Sequence, residues 1–237
     1  MSAARTGGSN NETRLKSINE RVVACAQCPR LVEWRTTVAR EKRAAYAEDA
    51  YWGRAVPSFG DPDAQLLIVG LAPGAHGSNR TGRMFTGDRS GEMLFRALHR
   101  AGFANQPEGR KADDGLRLSR AYITAAVRCA PPANRPSPAE RDNCKPYLED
   151  EFSVFGPVPV VVALGGFAFD QVLRILTDQG EAVPRPRPRF SHGVEVNLES
   201  TVVIGCYHPS QQNTFTGRLT ESMFDTIWQR AQSLTSG

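Results

Sequence analysis

No apolar run in the sequence approaches the roughly 20 residues that a membrane-spanning helix needs. The opening stretch, MSAARTGGSNNETR, lacks the apolar core of a secretory signal and reads as a disordered tail over residues 1–12. These two absences set the expectation of a cytoplasmic protein. No internal repeat divides the chain. Residues 70–91, GLAPGAHGSNRTGRMFTGDRSG, are rich in glycine yet lack both the GK[ST] ending of a P-loop and the dinucleotide-binding fingerprint. Cysteine is scarce, with five in 237 residues, and in a cytoplasmic chain such thiols are metal-bound or inert before they are disulfide-paired.

What is present is an ordinary charged and apolar composition, long enough for one sizeable α/β core, taken here as a single domain over residues 13–237. The net charge of +4 tolerates a polyanionic partner without requiring one. Residues 13–48 carry helical periodicity through Leu15, Ile18, Val22, Leu31 and Val38, interrupted at CAQCPR. Four apolar runs follow at 65–70, 121–127, 158–165 and 201–207, nearly unbroken and β-branched, as suits strands buried on both faces. Helical segments at 91–101, 137–152, 166–179 and 219–235 separate or follow them. The alternation predicts a three-layer α/β/α sandwich around a central four-stranded parallel sheet. PRPRPRF, at 184–190, excludes helix and central strand and reads as a basic surface linker.

Ligands of open parallel sheets bind beyond the carboxyl ends of the strands. The loops leaving those ends are GLAPGAHGSNRTGRMFTGD, RCAPPANRP, GGFAFD and YHPSQQNTFTGR, the four most unusual stretches in the chain. Their meeting point predicts one composite site. Cys25 and Cys28 form a CxxC, and Cys129 and Cys144 supply two more thiols, one of them just past the second strand. Four such ligands suit zinc or an iron–sulfur cluster, and the spacing does not separate the two. Unrelated buried thiols are the alternative, and Cys206, inside the fourth strand, reads as a small core residue.

GLAPGAHGSNRTGRMFTGD, VRCAPPANRP and YHPSQQNTFTGRLT, with the four cysteines, resemble the uracil-DNA glycosylase superfamily, most nearly its family-5, or type B, members. The resemblance covers nearly the whole chain after the tail. It implies a 4Fe–4S cluster on Cys25, Cys28, Cys129 and Cys144, and removal of uracil and other damaged bases, hypoxanthine among the candidates, from DNA. Family-4 relatives read GEAPG where this chain has Leu71, and carry a base-reading Asn where it has Thr124, Ala125 and Ala126. Both departures favour type B and a broader substrate range.

On this reading a flipped base occupies the first loop. Phe85 stacks on it or, alternatively, anchors the loop to the core. His208 donates a hydrogen bond to the departing base, and backbone N–H groups near Ala72, Gly74 and Ala75 add donors. Asp88 orients water or stabilises the cationic sugar, the alternative being a helix N-cap. Asn134 contacts base or water, or is a turn residue beside prolines. Gln211 and Gln212 fill the gap left by the base, while Asn213, Thr214, Thr216, Arg218, Arg80, Arg83 and Arg135 face phosphates. His76 lines the site. No lysine lies in these motifs to form a Schiff base, so the expected enzyme is monofunctional, a monomer acting on double-stranded DNA, with single-stranded DNA a further candidate. Two competing readings are a lesion-binding module without catalysis and a zinc-stabilised nucleotide hydrolase.

Overall fold

The computed structural model of the protein describes residues 8–236. Helix α1, Gly8–Ala24, and helix α2, Pro29–Glu41, account for the first periodic segment. They break at the CxxC. α2 restarts with Pro29 in its first turn, where the missing N–H has no intrahelical partner to lose. α1 begins earlier than its periodicity predicts, so residues 8–12 of the expected tail are helical; the rest of that tail lies outside the described residues. Among the described residues no helix is long and apolar enough to cross a membrane.

The sheet has six strands rather than four. They are β1 (Phe59–Gly60), β2 (Leu66–Gly70), β3 (Ala121–Ala125), β4 (Val160–Leu164), β5 (Glu195–Asn197) and β6 (Val202–Cys206), in the order β1-β3-β2-β4-β6-β5. The four central strands are the four apolar runs, and all pair in parallel. The two additional strands pair antiparallel at the edges. At two and three residues they are too short to print a period on the sequence.

Helices explain why the central strands are apolar throughout. Leu67, Val69, Val161, Ala163 and Val203 point into a core with α1, α5 (Pro138–Phe155) and α6 (Gly166–Asp178). Leu66, Ile68, Val160, Val162 and Ile204 point into a second core with α4 (Arg89–Arg100) and α8 (Glu221–Thr235). Alternate residues of one strand therefore serve opposite layers, as the strand period of two demands. Short helices α3 (Ser78–Thr81) and α7 (Gln211–Phe215) interrupt the loops after β2 and β6. The chain leaves β2 for α4 on one face and leaves neighbouring β4 for α6 on the other. This divergence opens a crevice at the carboxyl ends of those strands.

One polar knot lies within the packing. Arg128 and Glu151, each 1% exposed, pair at 2.5 Å. Ser58 and Thr124 donate to the same carboxylate, at 2.5 and 2.6 Å. The knot joins the loop before β1, strand β3, the loop after it and α5. Removing one partner leaves a buried charge unpaired, which costs about 3–5 kcal/mol. Glu151→Ala is therefore expected to lower unfolding free energy by that amount, read from the urea midpoint at unchanged m-value.

Candidate functional site

At the end of β2, Gly70 has no side chain, and the ring of Phe85 takes the space. A Cβ there would lie 3.0 Å from the ring. Phe85 itself adopts φ 53°, a left-handed backbone that turns the loop back over the strand end. Its ring stacks on His208, with centroids 5.7 Å apart and planes inclined by 29°. Loops from β2 and β6 thus meet across the crevice.

Asp88 closes the same loop as the N-cap of α4, its Oδ1 accepting from the Gly91 N–H at 3.0 Å. Its Oδ2 lies against Gly74 and Gly77, and a Cβ on Gly77 would stand 2.0 Å from that oxygen. Burial raises the Asp88 carboxyl above its ordinary value, opposed by the N–H groups of Gly91 and Ser90. The N–H groups of Ala72, Gly74 and Ala75 donate to no backbone acceptor among the described residues. The sequence-based alternative of an N-cap holds for Asp88. It engages one oxygen and leaves the other turned toward the glycine loop.

His208 follows β6 at the turn made by Pro209. Its carbonyl accepts from the Asn213 side chain at 2.9 Å and from the Ser210 N–H at 2.7 Å, while no hydrogen bond among the described residues reaches its ring. Burial lowers its pKa from 6.5 to about 4. The ring is therefore neutral at physiological pH and carries one N–H to donate.

The remaining residues divide. Gln211, Gln212 and Arg218 are exposed on or beyond α7, with the Arg218 guanidinium 4.6 Å from the Tyr207 ring centre. Asn213 is committed to His208, and Thr214 and Thr216 bond back to carbonyls of their own turn. Asn134 stands in an exposed turn at φ 55°. Arg83, expected to face a phosphate, is instead 5% exposed, forms a two-pronged ion pair with Asp114 at 2.8 Å, and donates to Thr86. Burial favours the neutral Asp114 acid, but Arg83 and backbone N–H groups overcome this and hold the carboxyl well below its ordinary range. Arg80 is likewise a loop staple. It pairs with Asp49, bonds the carbonyls of His76 and Gly87, and lies over Tyr46. Arg135 is exposed. His76 is bonded to Tyr51 at 2.9 Å, a partner that no sequence signal singles out.

Cys25, Cys28, Cys129 and Cys144 line one small cavity, with Leu31, Ala55 and Asn143. Arg30, at the start of α2, pairs with Glu140 of α5 and so draws Cys28 and Cys144 together. Donors reach the sulfurs from several sides, with Arg35 Nη1 to Cys129 at 2.9 Å, the Arg128 N–H to Cys144 at 3.3 Å and Asn143 to Cys28 at 3.5 Å. Burial pushes the thiol of Cys129 up to about 12 and that of Cys144 up to about 11. Among the described residues, no three His, Cys, Asp or Glu side chains are grouped tightly enough to hold one metal ion. Cys206 is buried in β6 apart from this cavity, as expected of a core residue.

Phe85 and His208 meet at the carboxyl ends of the parallel strands, on the loop that Asp88 closes, which is where α/β folds carry their ligand sites. The family model described as the uracil DNA glycosylase superfamily matches residues 57–232, and the chain belongs to that superfamily. It is 54% identical to the type-5 uracil-DNA glycosylase of Mycobacterium leprae, over 93% of this chain and 95% of that one. It is also 54% identical to that of Mycobacterium tuberculosis, over 92% and 80%, and 48% identical to that of Thermus thermophilus, over 90% and 94%.

The His208 shift has a defined sign. The unfolded chain takes up this proton near pH 6.5, whereas the folded one takes it up only near pH 4. Its contribution to stability is therefore complete above the unfolded value and is lost as pH falls through about 4. An NMR titration of the imidazole should give a midpoint near 4. A midpoint near 6.5 would mean a solvated ring.

Proposed function

We propose that the protein is a monofunctional DNA glycosylase, which hydrolyses the N-glycosidic bond of uracil, and of other deaminated bases such as hypoxanthine, to begin base excision repair. The observation that carries this reading is the His208 ring stacked on Phe85 where the loops after β2 and β6 meet. A flipped base needs an aromatic surface to receive it and a hydrogen-bond donor where negative charge develops as it leaves. A neutral imidazole donates to that developing anion without first giving up a proton. The N–H groups of Ala72, Gly74 and Ala75 add fixed dipoles on the glycine side. Asp88, with one oxygen bound in the helix cap, turns its other oxygen toward the loop that would hold the sugar. There it stabilises oxocarbenium charge or orients the water, a role for which Leu71 offers no alternative. Asn134 is assigned to the DNA-bound state, in which its exposed turn contacts base or water.

DNA is bound across the same mouth, with Gln211, Gln212 and Arg218 offered by α7 and the turn after it. The substrate is duplex DNA and, because the crevice asks only for an unstacked base, single-stranded DNA as well. The type-5 relatives carry the name of this activity, which supports the assignment.

The four cysteines would hold a 4Fe–4S cluster. Such a cluster is held by four Cys thiolates, and these four line one cavity. Arg35, the Arg128 N–H and Asn143 are the donors that would offset thiolate charge in this buried place. When bound, the cluster supplies a covalent cross-link among the α1–α2 junction, the loop after β3, and α5.

The test is a labelled duplex with one U·G pair, incubated under single-turnover conditions and then cleaved with alkali. An alkali-dependent break is expected. His208→Ala is expected to slow it about 10²-fold or more. An intact strand beside a stable complex would instead favour the lesion-binding reading. For the cysteines, Cys129→Ser should lose bound iron and visible absorption. Retention of both would remove Cys129 from the ligand set, and stoichiometric zinc in the wild type would overturn the cluster.

A further inference from the structure

The segment PRPRPRF places Arg185, Arg187 and Arg189 at alternate positions, and the site described above uses none of them. All three are exposed, and they make no hydrogen bond, ion pair or ring contact among the described residues. Other arginines of the fold are spent on carboxylates, as Arg80, Arg83 and Arg128 are. Three cations this close repel one another, and nothing in the packing offsets the repulsion.

The segment is a strap fixed at both ends. Val183 and Phe190 pack on the core that α6 covers. The Phe190 ring lies 5.7 Å from that of Phe169 and 5.9 Å from that of Tyr207, centre to centre. Two glycines make room for it. A Cβ on Gly166 would stand 3.4 Å from the Phe190 ring, and one on Gly205 would stand 2.7 Å from the Ser191 carbonyl oxygen. The Tyr207 N–H then donates to the His192 ring at 3.1 Å. His208 comes next, and its Cβ lies 3.9 Å from the place of a Cβ on Gly165. Phe190 therefore ends the strap beside the crevice.

Topology grades the three arginines. α6 starts at the crevice with Gly166 and runs away from it for 13 residues, about 20 Å. From the far end of α6 the chain must climb back to set Phe190 against Gly166. Arg189 therefore stands nearest the mouth, Arg187 below it and Arg185 lowest.

We infer that this strap is a rail for the phosphate backbone of duplex DNA flanking the opened nucleotide, with Arg189 as its leading contact. The inference rests on the glycosylase reading above. A duplex laid across the mouth extends past the crevice on both sides, and on the α6 side the rim is this strap. Guanidinium forks match phosphate oxygens and stay charged at any working pH. Arg80 and Arg83, on the loop after β2, are folded onto carboxylates, so the strap supplies positive charge that they do not. Contacts to phosphate carry no base information, so the rail holds undamaged and uracil-containing duplex alike.

The experiment measures binding to a uracil-free duplex, and to the same duplex with one U·G pair whose uridine carries a 2′-fluoro group that blocks base release. Both are titrated across a series of salt concentrations. The proteins are wild type, Arg189→Gln, Arg185→Gln, the triple change of 185, 187 and 189 to Gln, the same triple change to Lys, and Arg117→Gln. Arg117 is exposed on the loop that enters β3, at the opposite end of the sheet. Each arginine that meets a phosphate should remove about 0.9 from the slope of log affinity against log salt. Arg189→Gln should flatten the slope by about that much, and Arg185→Gln by less. The triple Gln variant should weaken binding about tenfold or more near 0.1 M salt, by the same factor on both duplexes. The triple Lys variant should keep the slope, and Arg117→Gln should match wild type. A triple Gln variant no weaker than Arg117→Gln, a loss confined to the U·G duplex, a Lys variant as weak as the Gln one, or a larger effect at Arg185 than at Arg189 would each overturn the rail. Binding to uracil-free duplex needs no base release, so it decides the rail even if wild type fails to release uracil, a failure that would sink the glycosylase reading alone. Because the three side chains are exposed, melting temperatures should match wild type.

Discussion

Burial of the four parallel strands on both faces is the constraint from which the rest of the structure follows. A strand such as Val160–Leu164, buried at every position, has no face to offer water. Helices must therefore cover both sides. Once α4 lies on one side and α6 on the other, the loops that feed them diverge at one end of the sheet. The crevice between those loops is a by-product of covering the strands. Unusual residues can gather there because the loops carry little of the core's packing burden.

The cysteine cavity and the crevice are joined by short bonded paths. Arg35 donates through one nitrogen to Cys129 and through the other to the Cys25 carbonyl. Its own carbonyl accepts from Asn79, whose amide also reaches the carbonyl of Ala75 in the glycine loop. A parallel path runs along the backbone, where the Val127 N–H donates to the Leu71 carbonyl two residues before Cys129. Whatever group fixes the thiols therefore fixes the floor beneath the glycine loop. The four-cysteine cavity is thus tied by hydrogen bonds to the loop that carries Ala75.

Legibility in the sequence followed the strength of the local signal. The four central strands and their helices were readable because each carries a period or an unbroken β-branched run. β1 and β5 were not, because two or three residues hold no period and their pairing is dictated by neighbours distant in sequence. The crevice was readable as a place, since topology sends all four odd loops to one end. The fates of individual arginines were not. Arg83 and Arg218 look alike in the sequence, yet one is folded onto Asp114 and the other stacks at the surface. What separates them is Asp114, 31 residues from Arg83 along the chain and signalled by no motif. Asn79 and Arg35 escaped for the same reason, as residues whose work is done through partners that only the fold supplies.

The two titratable groups of the crevice are displaced in ways that matter together. Burial lowers His208 and raises Asp88, so the environment moves both toward their neutral forms. For His208 the consequence is a donor that stays uncharged throughout the physiological range. For Asp88 the N–H groups of Gly91 and Ser90 oppose the larger effect of burial and favour the carboxylate that a cationic sugar would need. The helix cap and the proposed catalytic role are therefore not rivals for this side chain. The cap anchors one oxygen and opposes the effect of burial, and the glycines at 74 and 77 leave the other oxygen room. A side chain at Gly77 would occupy the place of that oxygen, so the glycine richness of this loop serves the carboxylate rather than a phosphate.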